Sequence, residues 1–196
     1  MRRTPALLLA AISFAALARP AAAQTEVEIR ASTTEYRFVE TSYSFGSGLL
    51  FDGLYTGEPG MNEIYLGLGY EIAPSDRTSL IPIVYAAAGK EYGERGATLG
   101  FLLDLDHTKW HLVGFAGHFF PVRGDIPAYT FVDSLDLTRK FGRWELGTSA
   151  AAYEDEGDIV RVAGPVLKWR DRLGTWAAAA RFGDQTEFRV VRTLAF

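Results

Sequence analysis

The sequence predicts an all-β chain: a single closed antiparallel up-and-down β-barrel of about ten strands, or eight if one pair merges. Three observations predict it. Apolar and polar residues alternate with period two in segment after segment, bounded by Gly, Asp and Pro clusters. After Gln24 no stretch carries the roughly 18 uninterrupted apolar residues of a membrane helix, and no apolar stripe recurs at helical spacing. The candidate strands follow one another closely enough to leave little room for helices, and no linker, repeat or second domain interrupts them.

Residues 1–23 read as a cleavable signal peptide. Arg2 and Arg3 give the positive start, Leu7 to Ala18 the apolar run, and Ala21-Ala22-Ala23 the small residues before the cut. The apolar run is too short for a stable span. Residues 24–34 read as a short N-terminal lead and residues 35–196 as the barrel domain.

The first strand, 35–51, is the weakest, because Tyr43 to Leu50 is rich in Gly and Ser. The second, 61–73, is the cleanest: Ile64, Leu66, Leu68, Tyr70 and Ile72 share one face, against Glu63, Tyr65, Gly67, Gly69 and Glu71. The third, 78–89, must absorb Pro82. In the fourth, 96–106, Leu99, Phe101, Leu103 and Leu105 oppose Thr98, Gly100, Leu102, Asp104 and Asp106. The fifth, 109–120, places His111 and His118 on opposite faces. In the sixth, 128–138, Asp133 sits awkwardly on the face it shares with Tyr129, Phe131, Leu135 and Leu137. The seventh, 143–153, puts Glu145, Gly147 and Ser149 on its polar side. The eighth, 158–169, contains Arg161 and a second awkward proline, Pro165. The ninth, 174–182, carries Arg181, and the tenth, 186–196, alternates through Phe188, Val190, Leu194 and Phe196 with Arg192 as the exception.

Composition narrows the function classes. The chain has 196 residues, 48% hydrophobic and 22% charged, which excludes a disordered protein. It has no cysteine, which excludes a disulfide scaffold, a thiolate metal site and a cysteine nucleophile. The net charge of −4 argues against nucleic acid as a partner. Removing residues 1–23 takes three of the 20 basic residues and none of the 24 acidic ones, so the net charge falls to −7.

Alternation fits two architectures: a soluble barrel or sandwich with its apolar faces inward, or a membrane barrel with that face outward. The small residues on the polar faces (Gly67, Gly100, Gly147, Ser149) suit a narrow lumen. Aromatic residues gather near strand ends, among them Trp110, Trp144, Trp169 and Trp176, as at a membrane interface. The last eight residues, Arg189 to Phe196, alternate to a terminal aromatic. This ending resembles the C-terminal signal strand of bacterial outer-membrane β-barrels, with Leu194 and Phe196 at the hydrophobic places; Val191 stands where that family usually has glycine. The resemblance implies a monomeric barrel in the cell outer membrane, with membrane lipid, lipopolysaccharide and the barrel-assembly machinery as partners. It also implies a structural or narrow passive-pore role. Two alternatives stay open: a soluble periplasmic or secreted barrel binding an apolar ligand, and a lipid-acting outer-membrane enzyme.

Chemistry is sparse. His118 is the one candidate general base. The outer-membrane lipid A deacylases place a His and a Ser two apart on one strand face, but His118 is followed by Phe119 and Phe120, so that likeness fails. Glu154 to Asp158 lacks the ligand spacing of an EF-hand and reads as a polar hairpin loop. Neither a metal site nor a cofactor is expected. The informative charges are those inside strands at lumen positions: Glu63, Glu71, Asp104, Glu145, Arg161, Arg181 and Arg189. In a narrow barrel these must pair or be hydrated.

Overall fold

The structure, a computed structural model, describes residues 24–58, 61–75, 77–89, 95–123, 127–155 and 157–196. The expected signal peptide lies outside them. The strands are β1 (Gln24–Ser32), β2 (Arg37–Ser44), β3 (Leu49–Glu58), β4 (Met61–Tyr70), β5 (Ile72–Ser75), β6 (Thr78–Gly89) and β7 (Arg95–Asp106). They continue with β8 (Trp110–Arg123), β9 (Tyr129–Phe141), β10 (Trp144–Asp155), β11 (Asp158–Arg170), β12 (Gly174–Gly183) and β13 (Glu187–Ala195). Apart from β5, each pairs antiparallel with its neighbours in the ring, β4 pairs with β6 past β5, and β1 pairs with β13, which closes the ring. The short β5 pairs only with β6, just beyond the end of β4. The result is a twelve-stranded up-and-down barrel with one short strand outside the ring.

The count is therefore twelve rather than about ten, and the difference lies entirely at the N-terminus. Residues expected as a lead form β1, which carries the closing ladder from Glu26↔Ala195 to Ser32↔Arg189. The segment read as one strand over 35–51 turns at Phe45–Gly48 and belongs to two, β2 and β3. Gly48 takes a φ of +87° there, which is why a Gly-rich stretch marks a turn rather than a weak strand. Asp52 to Glu58, between the expected first and second strands, is consequently inside β3.

The apolar face points outward. Ile64, Leu66, Leu68, Val84, Leu99, Phe101, Leu137, Leu146, Leu167 and Val190 are exposed, with Leu68 at 59%. A soluble barrel with its apolar faces inward is not what forms. All four tryptophans lie at strand ends on the side that carries both described chain ends, and all are exposed. Trp144 stacks on Trp169 across the β10–β11 pair at 6.0 Å. Arg192 does not sit bare among the apolar residues: its Nη2 donates to Asp171 Oδ1 at 3.0 Å in the adjacent turn, and its guanidinium lies 4.9 Å from the Trp176 ring centre. This is the snorkelling arrangement of a long cationic side chain at an interface.

The awkward Asp133 is resolved by a β-bulge. Register shifts occur in both ladders of β9, and Ser134 adopts a left-handed φ of +53°. The bulge reverses the phase of the strand. Tyr129, Phe131 and Asp133 face inward before it, and Asp136 and Thr138 face inward after it, so Leu135 and Leu137 reach the exterior. At Pro165 the β11–β12 ladder is interrupted: paired positions stop at Ala163–Phe182 and resume in the same register at Val166–Ala179, as a residue without a donor requires.

Candidate functional site

Twelve strands enclose more space than eight, and the interior fills it unequally. On one side of the lumen the rings form a chain. Tyr65 meets Tyr85 edge-on at 6.2 Å, Tyr85 meets Phe115 at 6.1 Å, Phe115 meets Phe131 at 5.6 Å, and Tyr129 bridges Phe131 to Phe119. Inward glycines on neighbouring strands make room for these rings: a Cβ at Gly100 would stand 2.3 Å from the Phe115 ring, and one at Gly67 2.6 Å from that of Tyr85. Leu50, Ile81 and Ile83 complete this apolar wall.

The opposite side is charged. At mid-height Asp133, delivered inward by its bulge, accepts from Arg189 Nη1 at 3.0 Å and from Arg30, and lies 3.8 Å from Arg181. Glu187 accepts from Arg181 at 3.3 Å and from Arg189 at 3.0 Å, while Glu28 pairs with Arg30. Ser149 accepts two bonds from Arg181, at 3.0 and 2.7 Å. Arg181 is 1% exposed. A charge so buried is tolerable only because every direction of its guanidinium meets an acceptor. Nearer the chain ends Lys168 pairs with Asp136 at 2.8 Å. His111 bridges Asp104 at 3.1 Å and Glu145 at 3.2 Å, and Glu145 also accepts from Thr138.

Below the arginine cluster, in the half of the barrel that holds the chain ends, lies a cavity of about 330 Å³. Seven carboxylates line it, against two basic side chains, Arg30 and Lys168.

Of the charges expected at lumen positions, Glu63, Glu145, Arg181 and Arg189 are buried inside, and Asp104 lines the cavity. Glu71 is exposed just past the end of β4, where the face it would share has already opened to solvent. Arg161 is exposed, because Val162, Val166 and Lys168 are the inward residues of β11 and Arg161 has the other parity. Sequence reasoning missed Glu26, Glu28 and Arg30, read as part of a lead, and Asp52, read as loop. It also missed Asp133, whose phase the bulge conceals. Asp136, Lys168 and Glu187 carry a legible signal, since each shares parity with other inward residues of its strand.

His118 faces away from the lumen. Its Nδ1 lies 2.7 Å from Thr130 Oγ1 and its ring packs edge-on against Phe120. No carboxylate is seen at its other nitrogen among the described residues. Among those residues, too, no group of three or more His, Asp or Glu is placed to hold a metal ion. Leu194 faces outward near the chain end, and Phe196 closes the β1–β13 seam through main-chain bonds with Thr25.

The solved structures that match this architecture agree on its kind. A KdgM porin matches with a TM-score of 0.64 and 11% identity, over 88% of this chain and 99% of that one. The chain has the fold of a small outer-membrane porin. A KdgM porin in complex with disordered oligogalacturonate matches with a TM-score of 0.65, again at 11% identity over 88% of this chain and 99% of that one. A NanC porin matches at 0.62 and 10% identity, over 87% of this chain and 98% of that one. No protein-family model and no curated relative matches the sequence. The apolar exterior, the aromatic end and the charged interior of this barrel are what that fold requires of a chain facing lipid outside and water within.

Proposed function

We propose that this protein is an outer-membrane barrel serving as a narrow passive pore that prefers small cations. The observation that carries the reading is the excess of carboxylates over basic groups around the internal cavity. Such a lining raises the local concentration of cations and repels anions. The arginine cluster and the chain of rings, both inside the barrel, support a narrow passage. An acidic oligosaccharide such as the one named with the KdgM porin is disfavoured by the same acidic lining. In this reading Leu194 and Phe196 present the assembly signal, the exterior belt meets lipid, and the polar loops at the far rim meet lipopolysaccharide.

The test is a planar bilayer holding the purified barrel between unequal potassium chloride solutions. The expected result is small, uniform conductance steps with a reversal potential of the sign set by potassium. Anion preference would overturn the selectivity, and a barrel that inserts without any conductance would leave a purely structural role.

A further inference from the structure

The cavity combines two surfaces that neither water nor a bare ion satisfies together. One wall is hydrocarbon and aromatic, formed by Leu50, Tyr85 and Phe115 among others. The lining also holds two carboxylate oxygens, Asp52 Oδ1 and Asp136 Oδ1, that are buried without a hydrogen-bond partner. Asp52 is 1% exposed, and its other oxygen accepts from the Tyr85 hydroxyl. Its neighbour Glu40 is another carboxyl group. The charged groups around Glu26 are Glu28, Asp52 and Asp104, all of its own sign. Arg30 is committed to Glu28 and Asp133, and Lys168 to Asp136. A buried carboxylate oxygen left without a donor is costly, and a cation supplied from solution relieves it.

We propose that this cavity binds a small amphipathic organic cation, with its ammonium group among Glu26, Glu40 and Asp52 and its hydrocarbon or aromatic body against Leu50, Tyr85 and Phe115. The two walls select the class. A metal ion would need three or more converging ligands, which the described residues do not offer. A simple inorganic cation would leave the apolar wall wet. A carboxylate-bearing solute would meet only charges of its own sign. The volume, about 330 Å³, is at the small end of ligand cavities and suits a compact amine. Tyr85 adds a ring beside the charge site, where a cation gains from the π face. The inference deepens the reading of the lumen as the functional site, but it depends on binding and not on conduction.

The experiment is isothermal titration of the full-length refolded barrel in detergent micelles, with the heat of empty micelles subtracted. The probes are 2-phenylethylammonium, 3-phenylpropanoate of matched size and opposite charge, and ammonium chloride. Saturable one-to-one binding of 2-phenylethylammonium is expected, with affinity at least tenfold above that of the other two. Asp52→Asn and Glu26→Gln are each expected to weaken it tenfold or more while the barrel keeps its heat-modifiable band. If Asp52→Asn does not fold, Glu26→Gln carries the test, because the affected oxygens there face the open cavity. Equal binding of 3-phenylpropanoate, equal binding of ammonium, or wild-type affinity in the folded variants would each overturn the assignment. Conductance without amine binding would sink this inference and leave the pore standing; amine binding without conductance would do the reverse.

Discussion

At the scale of single residues, Asp133 organises the interior. It is the acceptor that Arg30 and Arg189 share and Arg181 approaches, and it reaches them only because Ser134 holds a backbone conformation uncommon for a residue with a side chain. Removing one partner of a buried ionic group leaves the others uncompensated, at a cost of about 3 to 5 kcal/mol. Asp133→Ala is therefore expected to lower the urea midpoint of the barrel in micelles substantially, and Asp133→Asn, which keeps the shape and one acceptor, to lower it less. An unchanged midpoint for Asp133→Ala would contradict the role given to the cluster. Outside the membrane span, Asp171 makes a pH-dependent contribution. The bond from Arg192, then that from the Leu173 amide, holds its carboxyl below the usual aspartate range. A depressed folded-state value stabilises the barrel at pH above the unfolded value, about 3.9, and that stabilisation is lost as pH falls through the folded value. Wild type should thus resist heat better than Asp171→Asn at neutral pH, and the gap should close as the pH is taken below about 4, read as the temperature of the gel shift.

At the scale of the strand, the two faces answer to different solvents. Leu68 lies on the exposed face of β4, two residues from its end, paired beside Phe51 and Val84. Leu68→Arg places a charge on the lipid-facing surface, at a cost that runs from about 1 kcal/mol near the interface to about 2 to 4 kcal/mol at the bilayer centre, and should reduce the heat-modifiable fraction recovered from membranes. On the inner face Gly100→Val should destabilise by about 1 to 3 kcal/mol, because its side chain would enter the space of the Phe115 ring. A urea titration in micelles reads it, and no loss would mean the ring moves freely. The strands after residue 60 were legible because one face had to be apolar throughout, so period two survived in β4, β7 and β13. The first three strands were not legible for the opposite reason. Their inward positions hold Glu26, Glu28, Arg30, Glu40 and Asp52, and their outward ones include Thr41 and Gly53, so polar residues occupy both faces and the alternation fades.

At the scale of the molecule, the charged lumen was only partly legible, because its residues come together through closure. Arg30 and Asp133 are 103 positions apart and meet only in the finished ring. Parity exposes Arg181 and Glu187 as inward, but not that they stand against Ser149 three strands from the seam. Among the described residues, what stands in the lumen above the cavity is a set of ion pairs. The passage can then be widened without changing net charge. Replacing Arg181 and Glu187 together by alanine removes one cation and one anion that fill the lumen side by side, 3.3 Å apart. Arg189 keeps Asp133 as its acceptor, so the variant leaves no lone buried charge in that pair's place. The single Arg181→Ala variant lacks this balance and should be the less stable of the two. Single-channel conductance of the double variant should rise at least twofold while the reversal potential stays at the wild-type value, since the carboxylates around the cavity are untouched. A rise in conductance accompanied by loss of cation preference would place the selectivity at the arginine cluster instead of the acidic cavity, and no rise would mean that the restriction lies in the chain of rings opposite.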